Sequence, residues 1–249
     1  MEKVLKTVNH IIVNTGNILS LNDLTKKPGQ NPTEELTDAM NITIKDFQNN
    51  GENLELVDPF VIYRQHDDLT AKISDNEISE LKIGLKVFLT SDDKQYVVDA
   101  LDKALSVLQV NSVQNVIMSY NQVDDINKIQ NVWKVLEEYT ENKKISQIGI
   151  ADVEESTFRS LHEWALIKPS IIQINLATCC VVPPTLQAFC KDHEVQLLTH
   201  SDPTDILPHD RINQIFSQDL QLNWVLRFLV HIKCRGVLAT KGYLISLRK

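Results

Sequence analysis

Glycine is scarce, with 7 in 249 residues. Neither G-x-G-x-x-G nor G-x-x-x-x-G-K-[ST] occurs, so the phosphate-cradling turns that open many nucleotide-binding sheets are missing. No run of 18 apolar residues exists, so no segment is expected to span a membrane. Basic residues are in deficit: 25 Lys+Arg against 33 Asp+Glu leave a net charge of −8. Without a basic stripe, a nucleic-acid or anionic-membrane partner is not expected. Four cysteines are too few for a secreted disulfide scaffold. Seven histidines include no His-x-x-x-His, and no Cys-x-x-Cys occurs, so no metal site is indicated. No Gly-x-Ser-x-Gly marks a hydrolase nucleophile. Met1 to Ser20 is interrupted by Asn9, His10, Asn14 and Asn17, unlike a secretory leader. These absences predict a cytoplasmic chain with reduced thiols.

What is present is regular alternation from Gly84 onward. Leu85–Leu89, Val113–Met118, Ile145–Val153, Ile171–Ile174 and Val195–Leu198 have strand length and composition. Between them, apolar residues recur at helical spacing: Val97, Val98, Leu101, Leu105 and Leu108; then Ile129, Val132, Trp133, Leu136 and Tyr139. Phe158, Leu161, Trp164 and Ala165 predict a short helix, and so do Leu186, Phe189 and Cys190. Leu222, Val225, Leu226 and Leu229 predict another, followed by a last strand at Gly236–Ala239. The first third is less regular, with loops at Thr25–Thr33 and Asn49–Asn53, and a weak strand within Leu54–Ser74. Alternating β and α units imply a parallel sheet flanked by helices. A chain of this length suits a single (β/α)8 barrel, typically about 250 residues, and the missing glycine turns argue against the open doubly wound sheet.

Several segments then resemble the aldo-keto reductase superfamily in order. Ala100–Val110 resembles its helix before strand four. Ile148–Asp152 resembles its turn after strand five, Lys168–Asn175 its strand six, and Leu197–Ser201 its strand seven. Trp224–Phe228 and Arg235–Val237 match its seventh helix and eighth strand. The resemblance implies one aldo-keto reductase-like α/β barrel over residues 1–249, a (β/α)8 TIM barrel lacking the C-terminal helix that completes the cofactor pocket. Within it, Gln173–Pro184, Leu197–Pro203, Arg235–Tyr243 and the early Asn14–Asn17 resemble the branch formed by regulatory (modifier) subunits of glutamate–cysteine ligase. That branch implies a non-catalytic activator of glutathione biosynthesis, paired with the ligase catalytic subunit as a heterodimer. It also implies better glutamate affinity and relief of glutathione feedback inhibition.

The resemblance implies site residues too. A reductase needs a tyrosine acid tuned by lysine and aspartate, with a histidine orienting the carbonyl. Where the lysine is sought, after strand three, the chain reads Ser91-Asp92-Asp93; where the histidine is sought, it has Ser119; the nearest tyrosine is Tyr63. No catalytic residue is therefore expected and no cofactor is required, while a vestigial NADPH site would use Asp152, Gln173, His200, Ser201 and Lys241. Cys179 and Cys180 are the expected partner-binding or redox pair, opposed by a packing role; Cys190 reads as core. Asp67-Asp68 and Glu154-Glu155 read as solvated charges. The alternative is a divergent NADPH-binding or NADPH-dependent reductase. The partner contact is expected in loops Ala177–Pro184 and His200–His209.

Overall fold

The computed structural model describes residues 7–21, 29–50, 57–120, 125–175 and 182–249. In chain order its elements are β1 (His10–Asn14), α1 (Pro32–Asn50), β2 (Phe60–Tyr63), α2 (Leu69–Ser74), β3 (Leu81–Leu89) and α3 (Lys94–Leu108). Next come β4 (Val113–Tyr120), α4 (Ile126–Glu141), β5 (Ile145–Ala151), α5 (Glu155–Trp164) and β6 (Ile171–Asn175). Last are α6 (Pro184–Asp192), β7 (Gln196–His200), α7 (His209–Phe216), β8 (Gln221–Ile232) and β9 (Val237–Arg248).

The expected α/β class is present. The strands form one sheet in the order β2-β1-β9-β8-β3-β4-β5-β6-β7. Among the described residues no pairing joins the end strands β2 and β7. From β3 to β7 every pairing is parallel, as alternation predicted. The step from β1 to β2 runs the other way across the sheet. Leu36, Ala39, Met40, Ile44 and Phe47 of α1 pack with Ile11, Phe60, Val225 and Tyr243 on one face of the sheet, while α3–α6 pack on the other face against Leu85, Val116, Ile150 and Leu226.

Local chemistry fixes the helix ends. The Asp93 carboxylate accepts from the Gln95 N–H and starts α3; Asp125 accepts from Asn127 and starts α4. The left-handed Gln109 and Ser217 stop α3 and α7.

One predicted helix is a strand. Leu222, Val225, Leu226 and Leu229 lie in β8, which pairs antiparallel with both β3 and β9. A strand buried on both faces is apolar throughout, so helical spacing can be picked from it by chance. The run also holds Trp224, Val225, Phe228 and Val230, side chains that suit a pleated surface. The predicted last strand grows into the twelve-residue β9. In the first third, β1 and the nineteen-residue α1 form where little regularity was read.

Candidate functional site

The carboxyl ends of β4–β7 bring polar side chains together against β8. Lys86 on β3 stands directly opposite Arg227 on β8 in the antiparallel register. Two cations facing each other on a buried strand pair repel. Asp202, just past β7, resolves this. Its carboxylate accepts from Lys86 Nζ at 2.8 Å and from both Arg227 terminal nitrogens at 2.6 and 2.9 Å. The Arg227 contact is a two-pronged fork, the strong geometry for guanidinium and carboxylate. Asp202 is 4% exposed, and the Asn175 amide donates to its backbone carbonyl at 2.7 Å.

His200 extends this cluster. The Asp202 backbone N–H donates to Nδ1 at 3.1 Å, so the neutral ring carries its proton on Nε2. That nitrogen donates to Asp152 Oδ1 at 2.8 Å. The Ser119 hydroxyl reaches the other Asp152 oxygen at 3.3 Å. Asp152 sits in the left-handed region at φ 62°, which turns the chain sharply off β5. The buried Gln173 Oε1 accepts no hydrogen bond among the described residues.

Each charge feels this crowding. Burial pushes the Asp202 carboxyl up, but hydrogen bonds from His200 and Arg227 and the two cations outweigh it and hold it far below the usual carboxylate range. Burial lowers the Lys86 ammonium, and Asp202 only partly restores it. Burial also pulls His200 down, yet the hydrogen bonds that its protonated ring makes to the Asp152 and Asp202 carboxylates leave it raised above 6.5.

A raised imidazole means the folded chain binds that proton more tightly than the unfolded chain does. Its contribution to stability is complete below pH 6.5 and declines as pH rises through the folded value. The stability difference between the wild type and His200→Gln should therefore shrink from pH 6 to pH 9 in urea denaturation. A difference that widens toward alkaline pH contradicts this assignment.

Of the expected cofactor residues, Asp152, Gln173 and His200 come from adjacent strands β5, β6 and β7, and Ser201 follows, exposed. Lys241 belongs to a different constellation. Its ammonium pairs with Glu35 of α1 at 2.6 Å. Tyr243 donates its hydroxyl to the same carboxylate at 2.5 Å and meets Arg227. Burial and Glu35 push the Tyr243 phenol well above its ordinary value, against the opposing pull of Arg227. A chain of contacts thus runs from Lys241 through Glu35, Tyr243, Arg227, Asp202 and His200 to Asp152.

Two sequence readings need correction. Strand three does hold a cation: Lys86 lies buried in mid-strand, before the Ser91-Asp92-Asp93 segment where it was sought. Asp67 is not a solvated charge. It accepts from the Asn17 N–H at 2.8 Å and pairs with the buried Arg64 at 2.7 Å. Arg64 also donates to the Thr15 and Asn17 carbonyls, clamping the Asn14–Asn17 turn. A Cβ on Gly16 would lie 2.3 Å from the Asp67 carboxyl carbon, which explains that glycine.

Cys179 and Cys180 lie outside the described residues. Cys190 is buried on α6, as expected, and burial raises its thiol; Cys234 is exposed in the β8–β9 turn. Ser119 is on β4 and Tyr63 is exposed at the end of β2. Among the described residues, no group of three or more His, Cys, Asp or Glu is placed to hold a metal ion. No described helix is long and apolar enough to cross a membrane.

The model of the aldo/keto reductase family matches residues 24–202. The mouse glutamate–cysteine ligase regulatory subunit is 33% identical over 261 aligned positions, covering 99% of this chain and 95% of that protein. The human regulatory subunit is 33% identical over 94% of this chain and 91% of its own length. Among solved structures, an aldo-keto reductase complexed with NADPH has TM-score 0.45 at 21% identity, covering 53% of this chain and 42% of that one. Aldose reductase from Giardia lamblia has TM-score 0.42 at 16% identity, covering 68% and 53%. In both cases this chain spans less than two thirds of the solved structure.

Proposed function

Since the chain belongs to the aldo/keto reductase family, in its branch of glutamate–cysteine ligase regulatory subunits, we propose that it acts by binding the ligase catalytic subunit and performs no carbonyl reduction. The site observation that carries this reading is the commitment of two buried strand cations, Lys86 and Arg227, to the one carboxylate of Asp202. Lys86 and Arg227 are both neutralised by Asp202, and the pull of Arg227 on Tyr243 does not bring that phenol down to its ordinary value. The fully buried phenol beside this cluster, Tyr243, is shifted away from proton donation.

The same contacts bear on a nicotinamide dinucleotide, the cofactor that the family implies. The Gln173 acceptor could receive an amide N–H. The phosphate half finds no match among the described residues singled out for it, since Lys241 is held by Glu35. The residues do not fit the whole group, and no step is assigned to it. Purified protein should not oxidise NADPH in the presence of carbonyl substrates; turnover above a no-enzyme control reverses the reading and restores the divergent reductase.

Activation requires this chain to bind one conformation of the catalytic subunit more tightly than another. A coupling of about 1–3 kcal/mol shifts substrate or inhibitor affinity several-fold to about a hundredfold. Better glutamate use and weaker feedback by glutathione are the proposed outcomes. Exposed Ser201, Thr204 and Asp205 project from a loop whose Ile206 and Leu207 are buried, a rigid base for a partner contact. Co-purification with the catalytic subunit, followed by its kinetics with and without this chain, is the test. Replacing Ser201, Thr204 and Asp205 together should weaken the complex; unchanged affinity moves the contact elsewhere.

A further inference from the structure

A groove of about 410 Å³ lies at the end of the sheet opposite His200 and Asp202. Helices α4 and α5 run back from the carboxyl ends of their strands, so their own carboxyl ends meet the starts of β5 and β6. There Lys134, Glu137, Glu138, Glu141, Trp164 and Leu166 line the groove. Its floor is apolar and unusually open: Leu166 is 85% exposed and Trp164 39%. An isolated exposed leucine needs no explanation, but an exposed pair inside a charged rim marks a contact surface.

The groove is preformed. The Ile167 N–H donates to Glu137 Oε1 at 3.0 Å, and its carbonyl accepts from Trp133 Nε1 at 3.1 Å. Lys168 Nζ donates to the His162 carbonyl at 2.6 Å, holding the end of α5. Leu166 is thus fixed outward by bonds on the residues that follow it. Rigid presentation reduces the ordering cost of association.

Charge selects the occupant. Three carboxylates stand against one ammonium, and that ammonium lies 5.8 Å from the Trp164 ring centre, engaged with its face. A second copy of this chain carries net −8 and is repelled. We infer that the groove docks a basic segment of the catalytic subunit, with an apolar side chain set on Trp164 and Leu166 and lysine or arginine facing Glu138 and Glu141. This inference rests on the regulatory-subunit reading and adds a contact at the opposite end of the fold from the His200–His209 loop.

The test is titration of full-length wild type and variants with the catalytic subunit. Glu138→Lys, Glu141→Lys and Leu166→Asp combined should weaken binding at least tenfold, with an unchanged circular dichroism spectrum. Leu166→Ala, a milder change at a solvent-exposed position, should weaken it severalfold and guards against misfolding of the triple variant. Trp133 and Trp224 are fully buried, so the fluorescence difference between wild type and Trp164→Phe reports the groove. That difference should shift to the blue on complex formation. If wild type pairs normally and both groove variants bind within twofold of it, the groove inference falls and the regulatory reading stands. If wild type itself does not pair, both fall.

Discussion

Asp202→Asn should destabilise the protein by about 3–5 kcal/mol, the range for removing one partner from a buried ion pair. The substitution keeps the volume but leaves Lys86 and Arg227 opposite each other across β3 and β8 with no anion between them. Urea denaturation followed by far-ultraviolet circular dichroism measures the loss. Lys86→Met should cost less, because the Arg227 fork on Asp202 survives it. A loss below about 1 kcal/mol for Asp202→Asn would remove this cluster as an organising feature of the fold. The acid limb follows from the same carboxylate. Its proton affinity is depressed on folding, so its contribution is present above pH 3.8 and is lost as pH falls below that toward the folded value. The variant should therefore lose the wild type's extra sensitivity below pH 4.

Trp133→Ala should cost a similar amount, about 3–5 kcal/mol for truncating a large buried aromatic. The indole is fully buried between α4 and the strands it covers, and its Nε1–H holds the Ile167 carbonyl. Trp133→Phe separates the two effects. It fills most of the volume but orphans that carbonyl, for an expected loss of about 1–3 kcal/mol. Thermal melts of both variants, compared with the fluorescence of Trp164, test the link to the groove. If Trp133→Phe leaves stability and Trp164 emission unchanged, the indole hydrogen bond contributes nothing to the Leu166 turn.

The sequence was informative where one face of an element is buried and the other is not. Leu101, Leu108, Val132, Trp133 and Leu136 mark their helices because a solvent-facing side supplies the contrast. β8 lacks that contrast, since β3 and β9 flank it and both sheet faces are covered, so spacing misassigned it. The apolar stripe of α1, Leu36, Ala39, Met40, Ile44 and Phe47, is interleaved with buried Thr37 and Thr43, which dilutes the pattern. The charge cluster was partly legible. Asp152, Gln173 and His200 follow from resemblance, whereas Lys86 looked like a single interruption in an apolar strand. Its partner Asp202 is 116 residues away and Arg227 a further 25; no local pattern encodes such pairings. Asp67 was misread for the same reason, because its burial depends on Arg64 and on a turn 50 residues earlier.

The β8–β9 hairpin separates β1 from β3, so the two parallel parts of the sheet share no direct pairing and are bridged by the final strands. During synthesis on the ribosome, β1 and β2 emerge long before the strand that must lie beside them. The nascent chain therefore carries an unsatisfied β1 edge until residue 248 clears the exit tunnel, a window in which edge-to-edge pairing with other chains competes. Ribosome-bound chains truncated before β9 should remain protease-sensitive along their whole first third.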